Sequence, residues 1–155
     1  MTNVLQEIIN LKKEYEEKVK RVGSSLIVDL YRPLFNENPE IHSIRWEQYT
    51  PYFNDGDTCV FGVRELRYKL TTPLDKEYDD YGDGYSETYN IGERWDKTKQ
   101  RFVEVELTPA LKALKEMVEI HSNIPDDIML SLFGDHAQIT IFNDGNLEIE
   151  EYEHE

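Results

Sequence analysis

Ala137-Gln138-Ile139-Thr140-Ile141-Phe142-Asn143-Asp144-Gly145-Asn146-Leu147-Glu148-Ile149-Glu150 is the clearest structural signal in the chain. Ala137, Ile139 and Ile141 alternate with polar neighbours, and Leu147 and Ile149 alternate with Glu148 and Glu150. Successive side chains of a strand point to opposite faces, so this is a half-buried pattern written twice around an Asn-Asp-Gly-Asn reversal. It predicts an antiparallel hairpin with one apolar face, and it sends Glu148 and Glu150 to solvent in any register that buries Leu147 and Ile149.

Working back from the hairpin, Thr108-Pro109 has the form of an N-cap followed by Pro at the first helical position. Leu111, Leu114, Val118 and His121 then share one side of a helix. Pro125, with Asp126 and Asp127, opens a second short helix that Gly134 closes. Val103, Val105 and Leu107 form a short strand. Ile44 and Trp46 alternate with Arg45 and Glu47, and Cys59, Phe61 and Val63 alternate across the turn Asn54-Asp55-Gly56-Asp57, a second hairpin that Leu66, Tyr68 and Leu70 could extend. Trp46 shares parity with Ile44 and belongs in the core, while Tyr49, Pro51 and Tyr52 should form a partly exposed ridge.

At the start, Val4, Ile8, Leu11, Tyr15, Val22 and Leu26 recur at helical spacing, with Lys12, Lys13, Glu14, Glu16 and Glu17 opposite. Gly23 suggests a kink or break. Leu26, Ile27, Leu30, Tyr31 and Leu34 continue an apolar face until Pro33 and Asn38-Pro39 close the region. The expected partner of this helix is the chain's own sheet. Because the stripe runs for about three heptads, a homodimer through this first helix is the alternative. Helices and antiparallel strands are segregated, so the class is α+β. Residues 1–155 are expected to form one domain, with an acidic, Tyr-rich and flexible insert at 71–99.

The charge map limits partners. The chain has 155 residues and a formal net charge of −15. After Lys115 there is no Lys or Arg, and residues 121–155 hold nine acids. Residues 77–96 hold seven acids against Arg94 alone. Residues 1–36, by contrast, hold six bases and five acids, a net of +1. A surface of one sign repels phosphate backbones and anionic membranes and attracts basic proteins. Direct nucleic-acid binding and membrane binding are therefore not expected. The lone Cys59 allows no internal disulfide and the start resembles no signal peptide, both of which favour a cytoplasmic setting.

Two motifs carry candidate chemistry. Trp46, Tyr49, Tyr52 and Phe53 crowd one turn with Asp55 and Asp57, a rigid platform for a ligand or simply cross-hairpin packing. The insert, with Asp79, Asp80 and Asp83, imitates a calcium loop but fails the test. An EF-hand opened at Asp79 would place Tyr81 at the third position and Asn90 at the twelfth, where a bidentate Glu is needed. The four histidines show no ligand spacing with the single Cys, so no metal site is expected. No phosphate loop, dinucleotide fingerprint or nucleophile elbow is present, and neither a cofactor nor a catalytic set is expected.

The turn Trp46-Glu47-Gln48-Tyr49-Thr50-Pro51-Tyr52-Phe53-Asn54-Asp55-Gly56-Asp57, the step Phe133-Gly134-Asp135-His136 and the ending Glu150-Glu151-Tyr152-Glu153-His154-Glu155 resemble a family of small acidic proteins encoded by bacteriophages and by bacteria carrying phage-derived genes. The likeness covers residues 40–70 and 109–155, and Glu155 stands where the family has Asp. It implies no activity and no catalytic residues. It does imply a phage-encoded protein in a host cytoplasm, and the acidic charge adds the expectation of a module that modulates a basic host protein such as a nucleic-acid-binding factor or a defence enzyme. The residues expected to carry that contact are Glu148, Glu150, Glu151 and Glu153 together with Asp79, Asp80 and Asp83. The alternative is a small-ligand-binding domain or minor enzyme built on the aromatic turn 46–59, with His136 or Cys59 nearby.

Overall fold

β1 (Ile41–Tyr49) is the strand on which the rest is assembled. In the computed structural model it pairs antiparallel with three others: β7 (Ala137–Phe142) on one side, and β2 (Gly62–Val63) and β3 (Arg67–Leu70) in succession on the other. β8 (Leu147–Glu151) pairs with β7 and β4 (Ser86–Glu87) with β3, giving the sheet order β4-β3-β1-β7-β8 with β2 alongside β1. β5 (Glu93–Asp96) and β6 (Arg101–Glu104) form a separate two-stranded ribbon. α1 (Thr2–Glu37), α2 (Pro109–Asn123) and α3 (Asp126–Phe133) complete the α+β arrangement. The structure describes residues 2–52, 56, 58–72, 83–104 and 106–153.

The apolar core lies between the helices and the face of the sheet that carries Ile44 and Trp46. In register, Ile44 stands opposite Ile141, Trp46 opposite Ile139 and Gln48 opposite Ala137, so three rows from β1 and β7 enter the core together. Trp46 is fully buried, as its parity requires. Its ring lies 5.0 Å from His121, 5.9 Å from Tyr31 and 6.0 Å from Phe133. The polar groups brought in with it are all partnered. The indole N–H donates to Gln48 Oε1 at 3.1 Å, and Gln48 Nε2 donates to the carbonyls of Met129 and Gly134. His121 Nε2 faces the Arg64 carbonyl at 3.1 Å and must donate to it, so Nδ1 accepts the Tyr31 hydroxyl at 2.7 Å. Burial drives the Tyr31 hydroxyl well above its ordinary range and the His121 ring below its own.

The cap and turn chemistry expected at the C-terminal end is present. Thr108 Oγ1 accepts from Leu111 N, Gly134 ends α3 at φ +88°, and Gly145 turns the last hairpin at φ +89°. α1 departs from expectation. It runs unbroken through Gly23 and Pro33 to Glu37, where Asn38 caps the Leu34 carbonyl with both backbone and side-chain N–H groups. Gly23 is no break: a Cβ there would lie 2.4 Å from Leu132 Cδ2, so its role is to let α3 approach. The larger correction concerns which face of α1 is covered. The helix packs through Ile27, Val28, Tyr31, Leu34 and Phe35, while Val4, Ile8, Leu11, Tyr15, Val22, Leu26 and Leu30 are exposed. At about 100° per residue, the two sets lie on opposite sides of the cylinder.

Part of the expected insert, 71–99, is packed into the sheet. Residues 83–91 belong to the fold, since Tyr85, Glu87, Thr88 and Ile91 are buried and β4 pairs with β3. The turn residues Phe53, Asp55 and Asp57, and Asp79 and Asp80 of the insert, lie outside the described residues, as do His154 and Glu155.

Candidate functional site

Opposite the core, the sheet presents a polar face built from the other parity of the same strands. Ser43, Arg45, Glu47 and Tyr49 of β1 line it, and Arg45 stands opposite Arg67 of β3 on one side and Thr140 of β7 on the other. Glu148 and Glu87 extend that row to the two outer strands. A second row carries Glu47, Gln138 and Glu150.

Two arginines placed side by side on adjacent strands repel unless acids intervene. Here Asp83 does so: its Oδ2 accepts from Arg67 Nη1 at 2.9 Å and from Arg45 Nη1 at 3.2 Å. Arg67 also donates to Glu47 in a close, buried ion pair. Arg45 Nε donates to Thr140 Oγ1 at 2.9 Å, and its guanidinium lies 4.0 Å above the Tyr85 ring. The Tyr85 hydroxyl is 2.6 Å from Ser43 Oγ, which clamps the loop carrying Asp83 to β1. Burial works to raise the Asp83 carboxyl, but the Tyr85 amide, Arg67 and Arg45 outweigh it and hold it low. Burial likewise opposes charge on Arg67, and its two carboxylate partners more than offset that. Glu47 goes the other way, because loss of water raises it by more than Arg67 lowers it.

Next to this network lies a cleft of about 270 Å³. Its walls are Tyr49, Tyr89 and Tyr152, the arginines Arg64 and Arg67, and the acids Glu47, Glu65 and Glu87. Arg64 lies 4.1 Å over the Tyr49 ring, and Tyr49 and Tyr152 approach within 5.7 Å. Burial, with the nearby Glu47 carboxylate and Tyr49, raises the Tyr152 hydroxyl. The cleft is reached directly from the sheet edge. Tyr152 follows β8, its N–H donates to the His136 carbonyl at 2.7 Å, and its side chain turns to the polar face beside Tyr49.

Of the residues expected to meet a partner, Glu148, Glu150, Glu151 and Glu153 are all exposed along the edge of the sheet. Ile149 between them is itself 48% exposed, so the edge strand does not bury both apolar residues as its pattern suggested. Asp83 is a correction. It sits inside the arginine network, where two guanidinium groups already occupy it, and is not a free surface acid. The aromatic turn divides. Trp46 is core, Tyr49 joins the cleft, and Tyr52 is exposed and stacked on His136 at 4.9 Å. Asp135 ties this ridge down, accepting from both Thr50 N and Thr50 Oγ1 at 2.7 Å. Desolvation opposes the Asp135 charge, but those hydrogen bonds and His136 keep its carboxyl low. Neither Cys59 nor His136 lines the cleft.

The site residues that the sequence reading missed are Arg45, Arg64, Arg67, Tyr85, Tyr89 and Glu87. One signal for them was available: three of the few bases in an acidic chain, Arg45, Arg64 and Arg67, sit in or beside apolar strands. Among the described residues, no three His, Cys, Asp or Glu side chains are grouped to hold a metal ion, and no helix is long and apolar enough to cross a membrane. Comparison with known proteins finds no matching family model, no matching curated protein and no matching solved structure.

Proposed function

We propose that this chain is a non-enzymatic module that binds a basic segment of another protein, in the setting its motifs resemble: phage-encoded, acting in the host cytoplasm on a basic host protein. The observation that supports this is the continuity of the acidic edge with the tyrosine-lined cleft. Among the described residues β8 ends the sheet, and an added strand would pair with its outer edge. Its exposed carboxylates suit a Lys/Arg-rich segment, and Tyr152 leads from that edge to Tyr49, Tyr89, Glu65 and Glu87. Aromatic faces beside carboxylates are a good environment for one inserted cationic side chain.

The test uses an arginine-rich peptide and calorimetry at low and high salt. Replacing Glu148, Glu150, Glu151 and Glu153 by Gln should weaken binding and flatten its salt dependence, with the loss mainly in association rate. The melting temperature should hold or rise, because like charges on one exposed strand repel. Binding and salt dependence that survive all four changes would reduce the charge to a solubility device.

A second reading rests on Arg64, whose Nε is buried with no hydrogen-bond partner among the described residues. A small carboxylate-bearing ligand in the cleft would satisfy it. Such a ligand would be insensitive to the β8 changes and would be lost with Arg64→Ala.

A further inference from the structure

Residues 3–22 of α1 are exposed on every side, yet they are not polar on every side. Val4, Ile8 and Leu11 recur eleven residues later as Tyr15, Val19 and Val22, and Leu26 and Leu30 begin a third round. An eleven-residue repeat advances about 3.67 residues per turn, close to the straight helix, so the stripe stays on one line and does not wind round the cylinder. That line faces away from the core along its whole length. Its eight side chains are between 36% and 69% exposed. A helix of this kind draws little stability from propensity alone and needs its apolar face covered.

We infer that the stripe is covered by α1 of a second copy of this chain, packed antiparallel. The area is sufficient: eight apolar side chains about half exposed leave roughly 600–800 Å² per copy to bury, and the pair then reaches the size of a standard stable interface. Charge chooses the partner and the direction. The flank of the stripe carries Glu14, then Lys18 and Arg21 one to two turns later. When Val4 meets Leu30 of the second copy, Ile8 meets Leu26 and Tyr15 meets Val19, and the two copies of this flank lie side by side in opposite directions. Glu14 of each copy then faces Lys18 and Arg21 of the other, twice by symmetry. A parallel pair loses this match. It also brings both acidic bodies to one end: residues 37–155 carry −16, the difference between −15 for the chain and +1 for residues 1–36.

Sedimentation equilibrium of the full chain tests this. The expected result is twice the 18.3 kDa chain mass at tens of micromolar. Leu11→Glu with Tyr15→Glu, at positions 67% and 69% exposed, should raise the dissociation constant at least about 100-fold while the folded body keeps its near-ultraviolet spectrum. Glu14→Lys alone should weaken the dimer about tenfold, and adding Lys18→Glu and Arg21→Glu on the same chain should restore it. A monomer at those concentrations overturns the proposal and leaves the stripe to a lipid surface or another protein. A dimer indifferent to the Leu11/Tyr15 pair overturns the interface, and a charge swap without rescue overturns the antiparallel register.

Discussion

Arg67→Met is the sharpest probe of the polar face, because it removes one partner of a buried pair and leaves the other. The Arg67 side chain is 3% exposed and that of Glu47 is 11%. Without Arg67, Glu47 must remain charged in a poorly solvated site or take a proton. Protonation sets the ceiling: from an ordinary value of 4.5 to pH 7 is 2.5 units, about 3.4 kcal/mol at about 1.36 kcal/mol per unit. The lost hydrogen bond to Asp83 adds about 1 kcal/mol, since Asp83 keeps Arg45. The sum, about 3–4.5 kcal/mol, agrees with the usual range for breaking a buried pair. The pH dependence separates this from a packing defect. At pH 5 the protonation component falls to about 0.7 kcal/mol, so the variant should approach wild type to within about 2 kcal/mol. Urea denaturation followed by tryptophan fluorescence measures both values, and Glu47→Gln in the Arg67→Met background should recover most of the loss at pH 7. A loss below about 1 kcal/mol at pH 7, or one equal at the two pH values, would mean that Glu47 does not depend on Arg67 for its charge.

Two further outcomes follow from the core. His121 is held below its ordinary 6.5, so as pH falls through 6.5 the unfolded chain takes up a proton that the folded one refuses, and stability should drop by up to about 1.4 kcal/mol per pH unit. Urea midpoints across that range should show this extra slope in wild type and lose it in His121→Asn; parallel curves for the two proteins would sink the assignment. Gln48→Leu strands the Trp46 N–H and the carbonyls of Met129 and Gly134, which should cost about 3 kcal/mol and lower the melting temperature by roughly 6–12 °C. A drop under 2 °C by calorimetry would mean that those groups find other partners.

What was legible in the sequence was local. The last hairpin, the Thr108 cap, the Pro125 start and Gly134 stop, and the burial of Trp46 all follow from signals within a few residues of one another. What was not legible depended on contacts across the chain. The Ser43–Tyr85 hydrogen bond spans 42 positions and Arg45–Thr140 spans 95, and no local period encodes either. Residues 83–91 lack periodicity because they are held by Arg45, Arg67 and Ser43 rather than by an apolar face of their own. The stripe of α1 failed differently. Its period is plain in the sequence, but a period tells which face of a helix is apolar and not what covers it. Gly23 misled for a related reason, since a glycine that admits a neighbouring helix and a glycine that breaks its own look the same in sequence.

The net charge of −15 is unevenly used by the fold. Arg45 and Arg67 are spent inside the sheet face on Glu47, Asp83 and Tyr85, and Arg64 lies over Tyr49. Six more bases belong to residues 1–36, where acids nearly balance them. The acids of β8 have no such neighbours within the last forty residues, so the field at that edge is more negative than −15 spread over a whole surface would give. Acids in this chain are therefore of two kinds with opposite responses to neutralisation. Removing the charge of Asp83 leaves two arginines facing each other on adjacent strands and destabilises the sheet. Removing the charges of Glu148 and Glu150 relieves repulsion on an exposed strand and stabilises it or leaves it unchanged. A strand whose charge does not serve the fold must be kept for something outside it, either solubility or a basic partner, and the salt dependence of peptide binding decides between the two.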